Sequence, residues 1–123
     1  MKVTVQNGAA HGLSRGEVEA MVRVFPAAWS HLVKSIVLYQ GGEVEIDVSF
    51  HPKEKVVGLY WPSSSVVPSS KAKAIEKLLV ALAVVAERGE LPARMSTSLR
   101  GRILEQVAEV HQKCLDMVAK NAA

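Results

Sequence analysis

The sequence predicts an α+β fold: a small antiparallel sheet of three strands, four if the N-terminal segment joins it, packed by an N-terminal helix and a C-terminal helical hairpin. Three observations predict it. Residues 43–50 alternate strictly, with Val44, Ile46, Val48 and Phe50 on one side and Glu43, Glu45, Asp47 and Ser49 on the other. This is the period-two pattern of a strand with one face buried and one face wet. Leu78 to Ala86 are nine consecutive apolar residues inside a longer helical stretch. From Met95 to Lys120, apolar residues recur at three- and four-residue spacing, the period of a helix.

The totals set the frame for these elements. A chain of 123 residues is the size of a single domain, here residues 1–123. Hydrophobic residues make up 49% and mean hydropathy is +0.15, enough for a core and too much for a disordered chain. Aromatic residues are only 5%, so that core is built of Val, Leu, Ile and Ala. No apolar run reaches the roughly 18 residues of a membrane span, and the first residues lack the apolar centre of a signal peptide. One cysteine, Cys114, forms no internal disulfide. These features predict a cytoplasmic protein without a membrane partner. The net charge of +3 is mildly basic; it permits a nucleic-acid partner without requiring one.

Taken in order, Met1 to Gln6 reads as a short strand with Val3 and Val5 on one face, followed by a loop from Asn7 to Gly12. A helix spans Leu13 to Val24. Ser14 and Glu17 match the capping box, and Leu13 with Val18 matches the hydrophobic staple. Its inward face is Val18, Met21, Val22 and Phe25. Pro26 ends it, because the residue before proline avoids helical angles, and opens a short second helix, Ala27 to Leu32. Lys34 to Tyr39 is a strand rich in β-branched residues. Gln40-Gly41-Gly42 turns the chain into the alternating strand, and His51 to Lys55 turns it again into Val56 to Trp61. Strand, short turn, strand, short turn, strand predicts an antiparallel meander. Ser63–Ser65 and Ser69–Ser70 form a loop whose last serines cap the central helix. Gly89 stops that helix as a left-handed C-cap, with Pro92 beyond it. On a helical wheel Lys73, Glu76, Lys77, Glu87 and Arg88 share an arc that Val80 and Val84 interrupt, so the helix makes contacts on more than one side.

The last helix opens at Ser96, Thr97 or Ser98 and runs to about Lys120. Leu99, Ile103, Val107, Val110, Cys114 and Met117 form one apolar stripe; Leu104, Ala108, Leu115 and Val118 form a second beside it. With only residues 89 to 97 between them, the two long helices form an antiparallel hairpin.

Chemistry-bearing motifs are sparse. Of His11, His31, His51 and His111, none pairs with another at ligand spacing. His111 and Cys114 lie three apart on one helix, two ligands where a structural metal site needs four, so no metal site and no cofactor are expected. Cys114 sits on the apolar stripe, where a thiol is inert. The serines lack the flanking glycines of a nucleophile elbow, and no glycine-rich phosphate loop occurs. Glu43, Glu45 and Asp47 read as the solvated face of a strand. No catalytic residue is therefore expected, and the chain reads as a non-enzyme.

The order helix, three strands, long helix resembles the core of the small zincin metallopeptidases over about half the chain. In that family the long helix carries His-Glu-x-x-His. The corresponding stretch here, Leu78 to Glu87, is LLVALAVVAE and contains no histidine. The resemblance implies an inactive relative, and it carries no site residue across.

The leading expectation is a non-enzymatic protein that binds another protein or itself. The surface expected to do so is the second stripe of the last helix, Leu104, Ala108, Leu115 and Val118, with His111 among them, since a large apolar patch on a soluble protein marks an interface. The alternative is a nucleic-acid-binding accessory protein. Arg94, Arg100 and Arg102 surround a helix N-terminus, whose free N–H groups and dipole already favour anions. The third reading is the inactive metallopeptidase-like domain.

Overall fold

The computed structural model describes residues 1–6, 12–41, 45–62 and 71–121. His11, the start of the alternating strand at Glu43 and Val44, the Gly42 turn position and the serine-rich loop with the helix cap at Ser69 or Ser70 lie outside them. The fold is α+β. Its elements run β1 (Lys2–Val5), α1 (Arg15–Val22), a 3-10 turn (Ala27–His31), β2 (Ser35–Gly41), β3 (Asp47–His51), β4 (Val56–Pro62), α2 (Lys71–Arg88), α3 (Thr97–Gln106) and α4 (Ala108–Asn121).

The sheet differs from the expected meander. Its order is β1-β2-β4-β3; β1 and β2 run parallel, β2 and β4 run parallel, and only β3 and β4 are antiparallel. The reason lies in β4. Its residues VVGLYWP are buried at Val57, Gly58 and Leu59, whereas β3 is exposed at both ends. Apolar strands take central positions with neighbours on both sides. β4 therefore inserts between β2 and β3, and the polar strand is displaced to the edge.

All the helical packing uses one face of this sheet. Val3, Ile36, Leu38, Val57 and Leu59 point into the main core, where Val18, Met21, Ile75, Leu78, Leu79, Leu82 and Cys114 meet them. The capping box of α1 is present: Ser14 N–H donates to Glu17 Oε1 at 2.9 Å, and Glu17 N–H donates to Ser14 Oγ at 3.1 Å. α2 buries residues all round its middle, from Ala74 to Val85, because it is wedged between the sheet and the following helices. It stops where expected: Gly89 adopts a φ of 76°, and its N–H donates to Val85 O at 2.7 Å.

The last helix is two helices. It breaks at Val107, whose φ of −101° and ψ of 11° leave the helical region. The two halves contribute to different clusters. In α3, Ile103 joins Val80 and Val84 of α2 in a small second cluster. In α4, Cys114 and Val118 turn into the main core.

Candidate binding cleft

A cleft of about 530 Å³ opens between β3, α2, the connection from α2 to α3, and the faces of α3 and α4 nearest to it. Ligand sites commonly measure roughly 300–1,000 Å³. The stripe of α2 that lines it is Lys73, Glu76, Lys77, Val80 and Ala81, spaced to share one helix face. This is the charged arc that Val80 interrupts in the sequence. Val80, Ala81, Met95 and Leu115 give the cleft its apolar lining, and Asp47, Arg100 and His111 add charge or polarity from three other elements.

The β3 side of the cleft is backbone. β3 pairs with β4 on one side only, and among the described residues nothing pairs with its other edge. Two hydrogen bonds show which groups point outward. Lys77 Nζ donates to the Ile46 carbonyl at 2.6 Å, and the Val48 N–H donates to the side chain of its neighbour, Asp47 Oδ1, at 2.9 Å. In an antiparallel ladder, alternate residues turn their N–H and C=O away from the partner strand. Ile46, Val48 and Phe50 are therefore the outward set. An ammonium and a carboxylate cover two of these groups, one way in which proteins blunt a strand edge against indiscriminate pairing.

The expected partner-binding stripe divides among four environments. His111 and Leu115 line the cleft. Leu104 packs against the small cluster of Val80, Val84 and Ile103. Ala108 is exposed. Val118 is only 6% exposed and belongs to the main core, so it is withdrawn from any partner surface. On a helical wheel Val118 lies within about 60° of Ile103, Val107 and Cys114, so it is buried with the first stripe.

The three arginines have different surroundings. Arg100 lines the cleft. Arg102 lies two residues on, about 200° around the helix. It forms an ion pair with Glu87, Nη2 to Oε1 at 3.0 Å, and also donates to Gln106 Oε1 at 3.3 Å. Arg94 is exposed in the connection between α2 and α3. Cys114 is fully buried, and burial raises its thiol pKa to about 11, so it stays protonated at neutral pH. Among the described residues no three His, Cys, Asp or Glu side chains gather as a metal site would require.

Asp47, Lys73, Glu76 and Lys77 are the cleft residues that sequence reasoning missed as a group. Each reads as part of a solvated face, and only the placement of β3 at the edge beside α2 brings them together. Leu78 to Glu87, the stretch aligned by the resemblance to zincins, lends Val80 and Ala81 to the cleft lining. Comparisons with protein-family models, with curated proteins and with solved structures give no match.

Proposed function

We propose that this protein is a non-enzymatic binding module whose cleft receives an extended segment of a partner protein, or of a second copy, along the edge of β3. The unpaired edge beside an apolar cleft carries this reading. A peptide added as a strand gains main-chain hydrogen bonds from the edge and specificity from pockets for alternate side chains. Here the outward groups of Val48 and Phe50 would supply the first, and the surface of Val80, Ala81 and Leu115 the second. Lys73 and Arg100, with Asp47 and Glu76, would select a segment carrying charges of both signs. Lys77 and Asp47 would yield their backbone partners to the incoming strand. His111 and Leu115 are the part of the expected partner stripe that this reading keeps. The nucleic-acid reading through Arg94, Arg100 and Arg102 is the second reading; Arg102 pairs with Glu87 on the surface.

The test selects random displayed peptides on the folded protein and measures their affinity by calorimetry. Ala72→Trp narrows the cleft from an exposed position on α2. We expect selected peptides to lose at least about tenfold in affinity to this variant, a change of roughly 1.4 kcal/mol. Their binding should shift the amide resonances of Val48 and Phe50. Peptides that bind the variant equally well, or that leave the β3 amides unmoved, overturn the proposal.

A further inference from the structure

We infer that the end of the sheet marked by Lys2, Lys34 and Lys55, together with the adjoining face that no helix covers among the described residues, is a separate site for single-stranded nucleic acid. The first observation is a row of lysines. Lys2, Lys34 and Lys55 stand at the same end of three adjacent strands. Lys2 N–H donates to Lys34 O at 2.9 Å, and Lys34 N–H donates to Lys55 O at 2.8 Å, so each backbone is the next one's neighbour. Strands lie roughly 5 Å apart, which sets the spacing of the row. All three lysines are exposed, and none takes part in any of the ion pairs found among the described residues. Like charges on adjacent strands repel. An anion bound along the row would relieve that repulsion. Lys55 adds a second anomaly: its φ of 58° is a left-handed conformation that Gly or Asn adopts more readily, yet the position holds a third lysine. Lys53 extends the positive end through the β3–β4 turn, where Glu54 is the nearby carboxylate in sequence.

The second observation is aromatic. Farther along the same strands, on the face opposite the core, Tyr39 of β2 and Tyr60 of β4 pair across the ladder and stack, with centroids 4.8 Å apart and planes 13° apart. Ser49 Oγ donates to Tyr60 Oη at 3.3 Å. Both rings close over Gly58, and both remain partly exposed. From Ser35 to Tyr39 is roughly 13 Å along a strand, a span of a few nucleotides. A cationic track leading to aromatic rings on an open sheet is the combination that holds single strands without sequence preference, with phosphates on the lysines and bases against the rings. The alternative polyanion, a membrane surface, needs apolar side chains to insert. Among the described residues Val5 is the only exposed large hydrophobic one, and it lies on the other face.

Fluorescence anisotropy with a labelled 20-mer of deoxythymidine tests this, with the full chain, across a salt series. We expect binding at low salt whose log–log salt slope falls by about 2 when Lys2, Lys34 and Lys55 are changed together to Gln, since each phosphate contact on a single strand contributes about 0.7. Tyr60→Leu should weaken binding about tenfold and leave the slope unchanged, as loss of a stacked base would. Ala72→Trp, which narrows the cleft, should change neither, so this site stands or falls apart from the cleft. Circular dichroism confirms that each variant is folded. Absence of binding by the wild-type protein at low salt overturns the inference, as does a slope that survives the triple change. Equal or tighter binding to phosphatidylserine vesicles overturns it in favour of a membrane surface.

Discussion

Glu17 is the one buried charged residue among those described, at 7% exposure, and its environment sets a pH dependence. Burial by itself raises its pKa; the Ser14 backbone N–H and the Lys71 ammonium, 2.9 Å from Oε2, oppose this, and the net result lies below the ordinary value of 4.5. A carboxyl with a depressed pKa in the folded state stabilises above its unfolded pKa and loses that contribution as pH falls through the folded value. The contribution is therefore present at neutral pH and is lost below about pH 4.5. Glu17→Gln should lower stability at pH 7 by about 1–3 kcal/mol, because Lys71 and Ser14 lose a charged acceptor. Urea midpoints of wild type and variant should converge between about pH 5 and pH 3; parallel curves across that range would refute the linkage. At Leu82, fully buried in the centre of α2, truncation to Ala should cost about 2–5 kcal/mol whatever the pH, read from the same urea titrations.

At the scale of elements, β4 carries the clearest structural demand. Gly58 sits under the tyrosine pair. A Cβ there would lie 2.9 Å from Ser49 Oγ, 3.0 Å from Tyr39 Cε2 and 3.2 Å from Tyr60 Cε2. Gly58→Ala should therefore separate the rings and destabilise the sheet by roughly 1–3 kcal/mol, measurable by thermal unfolding. An unchanged midpoint would mean that the rings move aside freely. Elements of this kind were legible in the sequence wherever the signal is local. The α1 capping box, the Gly89 stop of α2 and the Ser96 cap of α3 all depend on residues three or four apart, and each is formed. Pairing between strands was not legible, because the short β2–β3 and β3–β4 connections equally suit a meander. What decides is the burial of β4, a property of the assembled sheet. The break at Val107 was hidden because no Gly or Pro marks it and the apolar period runs through it unbroken. The cleft shared that fate. His111 and Leu115 stood out in the sequence, whereas Asp47 and Lys77 became meaningful only once β3 was an edge.

On the scale of the whole molecule, helices cover one side of the sheet, the tyrosine pair lies on the other, the lysine row stands at one end of its strands, and β3 bounds both sides. The state of that edge then governs how the molecule meets other chains. Lys77 reaches from α2 to the Ile46 carbonyl, and Asp47 takes the Val48 N–H. Edge strands left open recruit other strands, and a charged residue at the edge is a common safeguard. Lys77→Met keeps the length of the side chain and its packing on α2 but frees the carbonyl and removes the charge. The variant should remain folded and should associate with itself at concentrations where the wild-type protein does not, seen as a larger sedimentation coefficient that grows with concentration. Adding Val48→Pro should reverse this. Proline removes the outward N–H that a second strand would use, and an edge strand tolerates it where that N–H faces away from the ladder. If Lys77→Met sediments as the wild type does, the ammonium is not guarding the edge. If the double variant still associates, the new contact lies elsewhere than on β3.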